Sequence, residues 1–165
     1  MTLRDPLLAL HVTAGATGLL LGPVTMRAIK RRGPHTRLGE AYHWVMLTVA
    51  ATAAALAVLA WQRIWWFLPI ALFSYANALV GYVAVKRRRP RWLKRHIGGM
   101  CGSYIALVTA LLVVNAGRSL LIVWLLPTIV GSPIIVWLIN EVDKGRRPRR
   151  PRGAPTRLRA RGSAT

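Results

Sequence analysis

Residues 64–85 read IWWFLPIALFSYANALVGYVAV and contain no Asp, Glu, Lys or Arg, whereas residues 86–95, KRRRPRWLKR, carry seven bases in ten positions. Wound as a helix at about 1.5 Å per residue, 22 uncharged residues extend about 33 Å, which matches the hydrocarbon thickness of a bilayer. The abrupt change from apolar to basic is how a membrane span ends at a positively charged face.

The same alternation continues on both sides. Four further uncharged windows, each of 20 or 22 residues, run over Leu7–Met26, Ala41–Gln62, His96–Gly117 and Ser119–Asn140. Between and after them lie basic blocks at Arg27–Arg37, Lys86–Arg95 and Lys144–Arg161, which hold 21 of the 24 Lys and Arg against only four Asp and Glu. A hydrophobic share of 54% with a pI near 12.0 is too apolar for a soluble domain of this charge. The pattern predicts an all-α integral membrane bundle of five transmembrane helices, about 7–26, 41–62, 64–85, 96–117 and 119–140. These helices form a domain of residues 1–143, followed by a disordered, basic cytoplasmic tail over 144–165.

Charge also sets the expected topology. With the three basic blocks inside, the N-terminus lies outside and the C-terminus inside, and the inner side carries net +18 against +2 outside. Bases follow the first apolar run rather than precede it, so that run is expected to stay in the membrane rather than act as a cleaved signal. Asp5-Pro6 suits the start of helix 1, and Gln62-Arg63 leaves room only for a tight outer hairpin. Asn115–Ser119 is expected to form a second outer turn capped by Ser119. Trp61, Trp65 and Trp66 fall at the outer boundary, and Trp44, Trp92 and Trp137 near the inner one, as an aromatic belt requires. Pro127, Gly131 and Pro133 predict a kink or local unwinding in the last helix.

Small residues mark expected helix contacts. Gly15, Gly18 and Gly22 share one face of helix 1 with His11, and Gly98-x-x-x-Gly102 repeats the device on helix 4. Tail arginines, Arg146, Arg147, Arg149 and Arg150 among them, are expected to meet anionic lipid head groups of the inner leaflet, each contributing about 1 kcal/mol near the surface. Nucleic-acid binding is disfavoured because the tail has no aromatic residue on which bases could stack.

Ionisable groups within spans are costly and read first as functional. His11 lies roughly 24 Å from the inner boundary, whereas His43 and His96 lie about 9 and 7–8 Å from it, with His35 nearer the surface. Two inner histidines on neighbouring helices have the chemistry to ligate a b-type haem, bind a metal or relay a proton, and Met100, one turn after His96, offers a sulfur. Against this stands the ordinary use of interfacial histidines, which hydrogen-bond backbone or lipid. With His11 alone outside, a wire of two haems is disfavoured. No compact metal motif, nucleophile–base pair or phosphate loop is present, so catalysis has no support in the sequence.

Four stretches carry a family likeness: LHVTAGATGLLLG from Leu10, HTRLGEAYHWVM from His35, RHIGGMCGSYIALVTAL from Arg95 and, more loosely, LPTIVGSPII from Leu126. Over Leu7 to Asn140 the chain resembles the bacterial integral-membrane family known as domain of unknown function two-three-zero-six. The likeness places His11, His35 and His96 at the family's histidine positions. It also shows two departures, Thr36 and Glu40, where the family carries Arg, and it gives His43 no counterpart. This shifts the expected pairing toward His35 with His96. The resemblance implies a multi-pass protein of the plasma (inner) membrane and brings no activity.

Three functions follow as expectations. The first is an accessory or structural membrane component, in a homo-oligomer or larger complex through its glycine faces. The second is a small redox or haem- or metal-binding protein using His35 or His43 with His96. The third and weakest is a small-solute channel or transporter along Asn77, Ser103 and Asn115.

Overall fold

A computed structural model describes residues 3–30, 33–116 and 120–146. It contains α1 (Arg4–Arg27), α2 (Pro34–Leu59), α3 (Trp61–Ile64), α4 (Phe67–Arg87), α5 (Trp92–Ala116) and α6 (Leu121–Arg146). Five of these, all except the single turn α3, are long and apolar enough to cross a membrane. The short connections make successive spans antiparallel, so the ends bearing Arg27, Pro34, Arg87, Trp92 and Arg146 share one side, the basic end of the bundle.

The helices outrun the uncharged windows. Pro34, not Ala41, opens α2, because proline suits a first helical position where its missing N–H has no partner to lose. Trp92, four residues before the expected start, opens α5. Absence of charge marks the hydrocarbon layer, whereas a helix continues into the head-group region, where Lys and Arg reach water along their alkyl stems. At the other end, Asp5 sits in the first turn of α1 and the cap position falls to Leu3, without a side-chain cap. The Gln62-Arg63 hairpin is a short helical turn, α3, whose neighbour Trp66 stacks on Phe67 at 3.8 Å and reaches Trp124 of α6 at 5.7 Å. Pro127 and Pro133 both lie inside α6, which runs on as one helix through them. Ser119, Arg147, Arg149, Arg150 and the rest of the tail lie outside the described residues; Arg146 closes α6.

Four spans close a ring: α1 packs on α2, α2 on α4, α4 on α5, and α5 back on α1. The sixth helix joins from outside, mainly through α5, and is the least buried span. The ring encloses Tyr42, Met46, Val49, Ala78 and Leu107, with Val45, Tyr75, Met100 and Tyr104 packed against them.

In lipid, polar groups must find partners within the protein. Thr13, Thr17, Thr25, Thr48 and Thr109 each donate to the carbonyl four residues back in their own helix. Bonds between helices divide by residue type. Histidines tie together the helices of one hairpin, α1 with α2 or α4 with α5. Tyrosine hydroxyls tie one hairpin to the other: Tyr42 to Ser103, Tyr104 to the Leu19 carbonyl, and Tyr82 to Glu40. The Tyr42–Ser103 bond is fully sheltered, the two residues being 2% and 0% exposed. Since Ser103 donates to the Met100 carbonyl, it accepts from Tyr42.

Helix approach is closest between α4 and α5. A Cβ on Gly99 would lie 2.6 Å from both the Asn77 carbonyl oxygen and the Gly81 nitrogen, so two backbones meet there with no side chain between them. Of the glycines expected at contacts, Gly22 faces the Tyr104 ring, Gly18 faces Leu107 and Val45, and Gly102 faces Asn77, while Gly15 and Gly98 meet nothing within 4 Å. On α5 the closest approach is thus at Gly99, one residue from the expected Gly98, with the expected Gly102 also in contact. Gly99→Ala should lower the melting temperature in detergent by the equivalent of about 1–3 kcal/mol, since neither backbone can yield without parting the helices. Gly98→Ala should leave it nearly unchanged; equal losses at both positions would contradict this packing.

Candidate functional site

The basic end gathers three histidines, and their surroundings follow from where the helices stop. The last four carbonyls of α1 lack intrahelical partners. One of them, Thr25 O, accepts from His35 Nδ1 at 2.9 Å, so the first turn of α2 satisfies the last turn of α1. Gly33, at φ 138°, takes a conformation that only glycine adopts freely and leads the chain into that turn. On the other hairpin, His96 Nδ1 donates to the Gly81 carbonyl at 3.0 Å.

These two bonds fix chemistry as well as position. A carbonyl oxygen only accepts, so each Nδ1 carries a proton, and in the neutral form of such a ring the lone pair is on Nε2. This is the form in which metal-ligating histidines are usually held, with the distal N–H on a backbone carbonyl. The two rings lie 6.1 Å apart between centroids and 83° from coplanar. Two imidazoles directly opposite each other on one metal ion have centroids about 6.3 Å apart, from metal–nitrogen bonds of ~2.0–2.1 Å and ~1.1 Å from nitrogen to ring centre on each side, whereas at a tetrahedral angle the distance falls to about 5 Å. Edge-to-face ring packing occupies the same distance range.

His11 repeats the arrangement in the other half of the α1–α2 hairpin, its Nδ1 lying 3.2 Å from the Val49 carbonyl and 3.0 Å from Thr52 Oγ1. It joins neither inner histidine, as its depth in the sequence requires.

His43 is built differently. Its ring stacks on Tyr82 at 4.1 Å and 7°, with Trp44 and Tyr75 at its other sides, and its described ring contacts do not include His96. The residue is 5% exposed, and among the described residues its Nδ1 has no hydrogen-bond partner. Tyr82 in turn donates to Glu40 at 2.9 Å, and Lys86 pairs with the same carboxylate at 3.5 Å. Glu40, where the resembling family carries Arg, therefore has two partners on α4. Met100, the expected sulfur ligand, is a packing residue: its Sδ lies 3.0 Å from where a Gly81 Cβ would stand.

Among the described residues no group of three or more His, Cys, Asp or Glu is placed to hold a metal ion. The donor set at the pair is thus two imidazoles. Of the residues expected along a solute path, the Asn77 and Asn115 amides donate to Phe73 and Leu111 in their own helices, and Ser103 is enclosed. No sequence signal marks Thr25 or Gly81 as partners, since both act through backbone carbonyls.

An unpartnered buried nitrogen costs about 1–3 kcal/mol relative to a satisfied one. Phenylalanine would keep the stack on Tyr82 without that nitrogen. His43→Phe should therefore be as stable as the parent or more so in a detergent melt; a clear loss would mean that Nδ1 has a partner in the membrane.

Searches of curated proteins and of solved structures found no match to the chain. The family described as predicted membrane protein (DUF2306) matches residues 8–141, from the second turn of α1 to the last turns of α6. With that match over nearly the whole bundle, the chain belongs to this family.

Proposed function

We propose that this protein is a small membrane redox component that binds a b-type haem between His35 and His96, at a basic end facing the cytoplasm of a bacterium. The supporting observation is the pair itself: two imidazole rings from different hairpins, each with Nδ1 held by a backbone carbonyl, so that Nε2 is the nitrogen available to ligate. Haem suits a two-imidazole set better than a bare ion does. A b-type haem would ask only two ligands of the protein, which His35 and His96 would supply, whereas a tetrahedral zinc site needs three or four.

When bound, the haem would supply one-electron exchange. The chain's own residues do the rest. Thr25 and Gly81 carbonyls hold the ring tautomers and raise the basicity of the ligating nitrogens. The surrounding Lys and Arg offer charge to the two carboxylates of a b-type haem. Loading requires the basic ends of α2 and α5 to part, where the two hairpins meet.

An accessory or structural role in a larger assembly is the second reading. Gly15 favours it, a small residue on α1 with nothing within 4 Å, open to the close approach of another helix.

Absorption spectra of the detergent-purified protein, oxidised and then reduced, test the first reading. A Soret band should be present, should be lost in His35→Ala and in His96→Ala, and should persist in His43→Ala. A colourless preparation from haem-replete cells would overturn the haem assignment, and a stable copurifying partner would then support the second reading.

A further inference from the structure

A shallow groove of about 310 Å³ runs down the outer face of α4 and α5 from the basic end, apart from the histidine pair. Its mouth is formed by Arg87, Arg89 and Arg95, with Trp92 beside them, and its wall by Val80 and Val83. We propose that this groove is a binding site for one anionic phospholipid of the leaflet at the basic end, with its phosphate on the three arginines and an acyl chain along the valines.

Charge selects the head group. Ion pairs among the described residues are made by lysines: Lys86 with Glu40, Lys94 with Asp143, and Lys144 with Glu141. Each described carboxylate at the basic end is thereby matched, while Arg87, Arg89 and Arg95 pair with none of them. The charged residues at the groove mouth are all arginines, and their planar forks of donors fit phosphate oxygens in pairs.

The wall selects a lipid over a free anion. Arg87, Val83 and Val80 follow one another at four- and three-residue steps, so they form one stripe on α4. From Arg87 to Val80 the stripe descends about 10 Å at 1.5 Å per residue, from the head-group layer into the hydrocarbon. Val80 is 52% exposed, so the stripe is open to lipid. Trp92 sits at the boundary, with the Arg88 guanidinium 5.6 Å over its ring. Arg88 and Arg91 both adopt positive φ, 44° and 63°, on either side of Pro90. That turn carries the chain from the arginines of α4 to Trp92 and Arg95 of α5, so both helices contribute to one mouth.

The basic tail, expected to meet anionic head groups as well, supplies none of the groove's lining residues. Native mass spectrometry of the full chain, titrated with phosphatidylglycerol or phosphatidylcholine, separates the two. One phosphatidylglycerol should bind well above the others and above phosphatidylcholine. Replacing Arg87, Arg89 and Arg95 together by Gln should weaken that adduct about tenfold or more. Replacing Arg147, Arg149 and Arg150 by Gln removes the same charge and should change it less than about twofold. Val80→Trp fills the wall with every charge intact and should also weaken the adduct, with folding checked by a melt in phosphatidylcholine nanodiscs. Equal losses from both arginine triples, or unchanged binding in a folded Val80→Trp, would overturn the proposal, as would displacement by millimolar inorganic phosphate.

Discussion

Backbone meets backbone where Gly99 of α5 crosses Gly81 of α4, and much of the basic end depends on that crossing. Lipid tails are as apolar as leucine, so spans do not associate by escaping solvent; they associate where close packing is available. Gly81 serves three neighbours at once. Its bare Cα admits Gly99, the same gap takes the Met100 side chain, and its carbonyl accepts from His96. A larger residue at either glycine would move the hairpin apart and take His96 away from the oxygen that fixes its tautomer.

The polar residues of the bundle are economical in what they connect. Threonines satisfy themselves on their own helices, histidines close each hairpin, and tyrosine hydroxyls join the two hairpins. A histidine tied to a carbonyl is stable in a membrane without any ligand, so the tie alone would be an adequate structural role for His11. His35 and His96 go further because two such rings from separate hairpins come together. His43 stands apart, with an aromatic stack in place of a carbonyl and a nitrogen left over.

The spans were legible from charge alone, because uncharged runs of membrane length admit few other readings. Helix ends were not. Pro34 and Trp92 begin helices within basic segments, and hydropathy reports the lipid boundary rather than the last hydrogen bond. Depth counting placed His43 and His96 at one level, yet it carries no information about which way a ring faces around its helix. The family positions pointed to His35, whose ring lies 6.1 Å from that of His96. Spacing within one helix singled out Gly98 and Gly102, whereas the crossing is fixed by a glycine on the facing helix, and a pattern in one strand of sequence does not show its partner. Backbone acceptors such as Thr25 O are invisible for a similar reason: every residue has a carbonyl, and only the fold decides which is left over.

The division between histidine and tyrosine ties carries a consequence for assembly. Each hairpin closes over a short connection at the basic end, so α1 with α2 and α4 with α5 can pair as soon as both members have entered the membrane. His35 and His96 belong to different hairpins, and α1 reaches α5 only when the ring closes. Their meeting is therefore a late event in biogenesis, complete only after α5 has been synthesised and the hairpins have docked. A ligand held between those two rings would report on a finished bundle and would hold it shut.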